Sequence, residues 1–538
     1  MRRKFLKLTF LGLLWLGTWA IDVFHRGVFP PPPKESLTTS SHPISQWIDK
    51  SKFGMHQLVL SGTPYERGLA AGRLAKPLLD AQEKILNDQL REIVKYPFLL
   101  GILELAAIRW FWGIHTYFEP WTIQEMYGIS RSTSPLYDSI VEPLTRQVAY
   151  HGLHEVGQMM VDQGGEGMGC TVVATPYGQS WILGRNFDFE GGRIFDSEKI
   201  LKWVFPDEGH SFVSVIWAGM VGVVTGVNEH GIYASLNAAG STDFRRHGTP
   251  STLVLLKVLQ FSKSAEEAIE ILKNEKMFIT DIFVLLDSRA GKLFRIEKSP
   301  LKTVVIPLQG PTVVTNHLIG QEWANDRINL FRKSELTSQA RASRGEFLLN
   351  QPAIKLHSSN PRNLEADILR ILRDKGESDG TQLPLGNRMA IDAQIATHSV
   401  IYNAPDQILY VSQGPGISGG FTGFDLSASF QSRKPIQVRS LPVDPEVTAW
   451  KFDSIQNSRK YLSQAERHIV QGHCEEAQVW IEKASQTVYE PGLYSRVLGD
   501  QFECKGNRDA AKQEWKKALQ LHPAYSAQIR YLEEKLKK

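Results

Sequence analysis

Between Gly164 and Phe189 the chain reads GGEGMGCTVVATPYGQSWILGRNFDF, two apolar runs split by Pro176-Tyr177-Gly178-Gln179. Turn residues between β-branched and aromatic stretches predict a tight hairpin, with Thr171 to Ala174 in its first strand and Trp181 to Gly184 in its second. A hairpin brings its two ends together, so Arg185 and Asp188 fold back toward Gly169 and Cys170. Cys170 is the only cysteine ahead of Cys474. A lone Gly-Cys pair on an apolar strand reads as a buried structural cysteine. With a guanidinium and a carboxylate brought beside it, the same thiol is a candidate activated nucleophile, because a neighbouring cation favours the thiolate.

A chain of 538 residues has room for two domains and a sizeable core. The formal charge of +4 is carried by the first 27 residues, where Arg2, Arg3, Lys4, Lys7 and Arg26 face Asp22. The remainder is close to neutral, which argues against a nucleic-acid partner. Met1 to Gly27 has a basic head and an apolar run from Leu8 to Ile21, the layout of a secretory signal or an uncleaved signal anchor. The body is therefore expected outside the cytosol, periplasmic or extracellular, with a membrane anchor at its N-terminus possible. Cys474 and Cys504 are able to pair, but three cysteines make no disulfide framework, and the reading favours leaving those two unpaired.

Residues 28–51 form a Pro/Ser-rich linker, and residues 52–169 read as a mainly helical segment. Tyr96 to Phe118 is strongly apolar but broken by Glu104 and Arg109, so it falls short of a bilayer span and suits a buried helix or the wall of a substrate channel. His151 and His154 stand one turn apart with no further ligand at metal spacing, which favours a structural role over a metal site. After Cys170 the pattern turns to short strands: Val213–Trp217, Val221–Val227, Ile232–Leu236, Ile282–Leu286, Leu293–Ile296, Thr303–Ile306, Thr312–Val314, Thr397–Tyr402 and Ile408–Ser412. Helical stretches at Ser251–Lys273, Ala324–Leu349 and Leu364–Asp374 separate them. Strands in runs and helices in blocks predict an α+β fold with antiparallel sheets covered by helices. Residues 441–455 read as a linker. From 456 to 538 the chain is helical, and Gly472/Gly506, Ala477/Ala511 and Ala484/Ala518 recur at the tetratricopeptide period of about 34 residues.

The segment around Cys170, together with Gly226-Val227-Asn228-Glu229-His230-Gly231, Leu236-Asn237 and Val313-Val314-Thr315-Asn316, resembles the N-terminal-nucleophile hydrolases of the isopenicillin N acyltransferase and choloylglycine hydrolase type, which include acid-ceramidase-like amidases. That resemblance covers about Ser61 to Gly414. It implies an αββα sandwich, with residues 170–440 as the catalytic chain after self-cleavage between Gly169 and Cys170. It assigns Cys170 as nucleophile, Arg185 beside it, Asp188 on the α-amine, and Asn237 and Asn316 as oxyanion donors. A further arginine is expected in a helix downstream; Arg341 is preferred, with Arg344, Arg327 and Arg332 competing. Asn228 reads as a turn residue.

A free α-amine has a pKa near 8 and can act as the base, so no catalytic histidine is needed. No metal or organic cofactor is implied. The reaction expected is hydrolysis of linear amide bonds in N-acylated small molecules. Acyl transfer from a thioester to an amine is the alternative of the same chemistry. A membrane-tethered interaction protein, whose C-terminal repeats bind a peptide or protein partner, is the alternative of a different class.

Overall fold

The computed structural model describes residues 17–18, 45–93, 110–138, 141–152, 155, 157–158, 168–352 and 360–537. Most of the N-terminal signal, the linker before residue 45, residues 94–109 of the apolar stretch, and His154 lie outside them. Among the described residues no helix is long and apolar enough to cross a membrane.

The β-branched and aromatic runs fold into two sheets. One holds nine strands in the order β1-β2-β5-β6-β7-β8-β9-β10-β11, the other seven in the order β12-β3-β4-β13-β14-β15-β16. The strands of the first are β1 (Gln46–Ile48), β2 (His56–Gly62), β5 (Ile200–Pro206), β6 (Phe212–Ile216), β7 (Thr225–Asn228), β8 (Ile232–Ala238), β9 (Asp281–Asp287), β10 (Lys292–Lys298) and β11 (Thr303–Leu308). Those of the second are β12 (Thr312–Val314), β3 (Met168–Tyr177), β4 (Ser180–Phe189), β13 (Ala396–Asn403), β14 (Ile408–Ser412), β15 (Phe421–Asp425) and β16 (Gln437–Leu441). Among the described residues only β2 and β5 pair in parallel. Strand β1 falls within residues 28–51, read above as a linker, and β2 within the mainly helical segment 52–169. Strands β5, β15 and β16 add to those expected, and Val221–Val224 lies outside β7.

The longer helices are α1 (Pro64–Leu74), α2 (Lys76–Ile93), α3 (Pro120–Ser130), α4 (Pro143–Tyr150), α5 (Ser251–Phe261), α6 (Ala265–Asn274), α7 (Arg327–Ser334), α8 (Ser338–Leu349) and α9 (Pro361–Leu372). The expected helix over 251–273 is broken because Ser264 caps α6, its side chain accepting from the Glu267 N–H. Three apolar clusters define four layers. Leu201, Trp203, Val215 and Val284 meet Val172, Leu183, Val400 and Val411 between the sheets. Helices α1 to α6 cover the larger sheet through residues such as Met126, Leu144 and Leu256. Val173, Ile182 and Ile401 of the smaller sheet pack on Leu349, Leu364 and Ile368 of α8 and α9. The order is helices, sheet, sheet, helices. Phe111, Ile114 and Phe118, the described end of the apolar stretch, are buried in the first helical layer.

Beyond β16 the chain is all helix: α10 (Ala449–Val470), α11 (Cys474–Ser485), α12 (Pro491–Cys504), α13 (Arg508–Gln520) and α14 (Ser526–Lys537). The first of these starts earlier than the pattern suggested, at Ala449. Gly472 and Gly506 follow α10 and α12 with left-handed φ of 77° and 78°, the conformation glycine adopts at a helix end without strain. Ala477, Ala484, Ala511 and Ala518 are all buried, letting α10 approach α11 and α12 approach α13.

Cys474 and Cys504 are joined in a disulfide, against the expectation that they stay unpaired. The antiparallel course of α11 and α12 brings their Cα atoms to 5.7 Å, a separation that spacing alone does not reveal. Reduction, or Cys474→Ser with Cys504→Ser, is expected to destabilise the helical tail by about 2–4 kcal/mol. Calorimetry with and without reductant measures this, and coincident melting transitions would rule it out.

Candidate active site

Antiparallel pairing of β3 with β4 sets Gly169 opposite Asp188, Cys170 opposite Phe187, and Val172 opposite Arg185. The turn between the strands is tight because Gly178 takes a φ of 60°. Side chains alternate across a strand, so the pairing sorts the site onto two faces. Cys170, Arg185 and Phe187 share one face, and Gly169, Thr171 and Asp188 share the other.

On the first face Arg185 is fully buried. Its Nη1 donates to the Val224 carbonyl at 2.6 Å and to Thr225 Oγ1, its Nη2 donates to the Leu236 carbonyl, and Nη2 lies 3.6 Å from Cys170 Sγ. The guanidinium carbon stands 4.8 Å from the centre of the Phe187 ring. These carbonyls offset the desolvation of the cation. Burial pushes the Cys170 thiol above its usual range; Arg185 and Arg341 pull it back, while Asp188 raises it further. In the intact chain the thiol is therefore protonated at neutral pH.

On the second face Arg341 reaches in from α8. Its Nη1 donates to the Cys170 carbonyl at 2.6 Å and to Thr171 Oγ1 at 2.8 Å, and its Nη2 donates to Asn316 Oδ1 at 2.7 Å. A methyl group at Gly169 would lie 3.3 Å from Arg341 Nη2 and 3.4 Å from Asp188 Oδ2. A cation and a carboxyl thus stand beside Gly169 on one face of β3. Burial pushes Asp188 up to about 7, and Asp392 adds to this, against Arg341, Arg388 and Arg185. Asp188 Oδ1 is buried without a hydrogen-bond partner. It is an acceptor awaiting a donor.

Asn316 Oδ1 accepts from the Cys170 N–H at 2.8 Å, and its Nδ2 donates to the Ala238 carbonyl at 2.8 Å. Asn237 Nδ2 donates to the carbonyls of Val314 and Thr315, each at 3.1 Å, tying β8 to the segment that carries Asn316. In the intact chain both amide nitrogens are engaged within the fold, and the group that Asn316 turns to Cys170 is its oxygen. Of the competing arginines, Arg344 pairs with Asp374 at 2.7 Å, Arg332 donates to the Gln158 carbonyl at 3.3 Å, and Arg327 is exposed. Arg341 alone among them contacts Cys170. Asn228 holds the β7–β8 turn, its Oδ1 accepting from the N–H groups of His230 and Ile232, each at 3.0 Å. His151 uses both ring nitrogens on backbone, Nδ1 on the Gln147 carbonyl at 2.7 Å and Nε2 accepting from Val221 N–H at 2.9 Å.

Several residues around the site were not anticipated. Thr225 links Arg185 to buried His398, whose Nε2 is 2.9 Å from Thr225 Oγ1 and whose ring stacks on Phe187. Arg388 and Asp392 stand near Asp188 from the loop ahead of β13. The only sequence signal for that loop is its density of polar residues, Gly386-Asn387-Arg388 and Asp392-Ala393-Gln394, directly before an apolar strand.

Residues 173–378, which include Arg185, Asp188, Asn237, Asn316 and Arg341, match the model of the acyl-coenzyme A:6-aminopenicillanic acid acyl-transferase family. That stretch is thus similar to the family, in agreement with the resemblance read from its motifs. Among curated proteins it is similar to an uncharacterized protein of Archaeoglobus fulgidus, 26% identical over 110 residues, which are 20% of this chain and 18% of that one. It is also similar to protein dcd1A of Dictyostelium discoideum, 25% identical over 259 residues, 44% of this chain and 56% of that one. The matches thus span less than two thirds of either relative. Among solved structures it is similar to the Caenorhabditis elegans ortholog of N-acylethanolamine-hydrolyzing acid amidase, at 15% identity and a TM-score of 0.31, covering 50% of this chain and 100% of that one. A mutant of conjugated bile acid hydrolase from Clostridium perfringens stands at 14% identity and a TM-score of 0.31, covering 52% of this chain and 99% of that one.

The raised Asp188 carboxyl gives a stability prediction. Unfolded, it ionises near 3.8; folded, near 7. Between those values the folded chain keeps a proton that the unfolded chain has lost, so stability falls as pH rises through that window. Asp188→Asn removes this share of the fall, leaving that of Asp392, and is expected to flatten the plot of melting temperature against pH between about 4 and 7. An unaltered slope would mean that Asp188 is ionised in the folded chain.

Proposed function

We propose that this chain is a self-processing cysteine hydrolase that cleaves linear amide bonds of N-acylated small molecules through an acyl-enzyme on Cys170. The observation that carries the proposal is the clamp on the Gly169–Cys170 peptide, with Arg341 and Asp188 on one face of β3 and Arg185 at the thiol on the other. In the first step Cys170 Sγ attacks the Gly169 carbonyl and the C–N bond breaks, giving a thioester and a free amine on Cys170. Water then hydrolyses the thioester, leaving a carboxylate on Gly169 and the thiol on Cys170.

The new α-amine inherits the contact of the Cys170 N–H with Asn316 Oδ1 and gains the unpartnered Asp188 Oδ1 as acceptor. An amine with a pKa near 8 takes the thiol proton and returns it to the leaving amine of a substrate. Arg185 stabilises the thiolate. Asn237 and Asn316 are proposed to serve the tetrahedral oxyanion, for which their Nδ2 groups must turn from the carbonyls of Val314, Thr315 and Ala238 that they now meet; a donor of this kind is worth about 3–4 kcal/mol. A fatty or aromatic acyl group is proposed from the apolar character of Tyr96–Phe118, although Phe111, Ile114 and Phe118 themselves pack in the core.

The description of the matching family as an acyl-transferase favours a second reading, in which an amine rather than water accepts the acyl group from Cys170. The all-helical tail is proposed to be a tetratricopeptide-like repeat that takes a peptide or protein partner, supported by the matched glycine ends and buried alanines of its helix pairs. Export, with an N-terminal anchor, is supported by the disulfide, since such bonds persist in oxidising compartments.

Intact mass and N-terminal sequencing test the mechanism. The wild-type protein is expected to yield a fragment beginning Cys170-Thr171-Val172, and Cys170→Ala a single uncut chain. A cut in Cys170→Ala at the same bond would assign the cleavage to another protease. For the substrate, a panel of N-acyl amides of graded chain length is expected to give free acid. Transfer to an added amine in preference to water would select the acyltransferase reading.

A further inference from the structure

Helices α10, α12 and α14 turn their inner faces to the end of the smaller sheet where β3 begins and β4 finishes. Between tail and body lies an open cavity of about 540 Å³, lined by Arg459, Leu493, Arg496 and Tyr531 from the tail and by Glu190 and Arg388 from the body. Glu190 follows β4 directly, two positions past Asp188. It pairs with Arg388 and lies 3.8 Å from Arg459 Nη1.

The tail grips two segments of the body, and both lead to Asp188. One is the loop ahead of β13. Arg459 donates to the Gly386 carbonyl, Asn387 donates to the His522 carbonyl at 2.8 Å, and Gln456 donates to the Gln394 carbonyl at 2.6 Å. Gln394 has a φ of 57°, a left-handed conformation that is unfavourable for a non-glycine residue and persists only when its surroundings enforce it. Its side chain donates to Asp392 at 2.5 Å. The second segment is the α7–α8 junction. Ser526 N–H donates to the Glu335 carbonyl at 3.4 Å, Arg530 pairs with Glu335 at 2.5 Å, and buried Tyr525 lies within electrostatic reach of Arg341.

We propose that the helical tail is a positioning element of the active site, which clamps the loop carrying Arg388 and Asp392 and the helix carrying Arg341 around the Gly169–Cys170 bond and Asp188. Its inner groove faces the body, whose Glu190 and Arg388 line the cavity between them. Gln456, Arg459 and Tyr525 act through Gln394, Glu190 and Arg341, and none of them touches the nucleophile in the contacts described above. This inference rests on the reading of Cys170 as nucleophile, but its test does not need turnover.

With Cys474 and Cys504 bonded, Cys170 is the only free thiol in the chain. Its alkylation by iodoacetamide can therefore be followed by intact mass across pH in the full-length protein. The charged and titratable groups that face the thiol are Arg185 and Asp188 from β4, Arg341 from α8 and Tyr233 from β8.

Gln456→Ala and Tyr525→Ala are expected to move the pH midpoint of alkylation by about half a unit or more. Both should also slow the appearance of the Cys170 N-terminus about tenfold, and Tyr525→Phe, which lacks the hydroxyl within reach of Arg341, should change both readouts as Tyr525→Ala does. Val470→Ser, on the outer face of the tail, serves as control and should change neither. If Gln456→Ala does not fold, Arg459→Lys is compared with Arg459→Gln in its place, the lysine keeping wild-type values and the glutamine shifting them. A lowered melting temperature with wild-type alkylation and processing would overturn the proposal, because a tail that only adds stability leaves the field at the thiol unchanged. If the wild-type chain is never cut, the self-processing reading fails, and the alkylation midpoints still decide the role of the tail.

Discussion

The opposition of Gly169 to Asp188 across β3 and β4 is the contact on which the rest of this site depends. Once that register is set, the pleat sends Cys170 and Arg185 toward one face and Asp188 toward the other. The chain then needs two different environments around a single strand. The first face is dry and apolar, and a buried guanidinium is tolerated there because three backbone or hydroxyl oxygens receive it. The second face is crowded with charge, and α8 brings the Arg341 cation to it. A slip of β4 by one residue against β3 would move all its side chains to the opposite face. It would set Asp188 on the face of the thiol and take Arg185 away from it.

The electrostatics of the intact chain suit a resting precursor. Burial keeps the thiol protonated and raises both Asp188 and Asp392, the latter to about 6. Breaking the peptide bond would change this balance without moving any strand. A neutral amide N–H becomes a basic amine, next to an acceptor that has no partner and an asparagine oxygen already in contact. The charge that appears on cleavage is of the sign that a buried carboxylate needs, so the groups that are costly before the cut become paired after it.

Much of the sandwich and most of the site are legible in the chain, for physical reasons that differ residue by residue. The β3–β4 hairpin is legible because its turn and alternation are local, and Cys170, Arg185 and Asp188 come with it. Asn237 and Asn316 are legible through the motifs around them, yet their present hydrogen bonds are not, since those depend on how β8 meets the segment after β12. Arg341 can be preferred but not separated from Arg344, one turn of helix away; only the docking of α8 turns one toward Cys170 and the other toward Asp374. Strand β5 escapes notice because Lys202 interrupts its apolar run, although that ammonium is buried and bonded to the Val221 carbonyl. The disulfide runs against a reading of spacing because helix packing decides whether two thiols meet.

The helical tail brings these points together. A stack of two helix pairs and a final helix is short for a free-standing repeat array, which gains stability from each added neighbour and needs its ends covered. The edge of the smaller sheet has the opposite difficulty. It carries a left-handed glutamine, Gln394, and the charged side chains of Glu190, Arg388 and Asp392 close to Asp188. Docking the inner groove on that edge meets both needs, since the body covers the open groove and the tail over-determines the strained loop. Contacts through Gln456, Arg459, Tyr525 and Arg530 come from α10 and from α14 and the residue ahead of it, the two ends of the tail, so the grip requires the tail to hold its shape between them. The Cys474–Cys504 bond lies between those two ends, on the helices that set their separation. In this arrangement the disulfide, the repeat stack and the loop ahead of β13 form one mechanical chain that ends at Asp188.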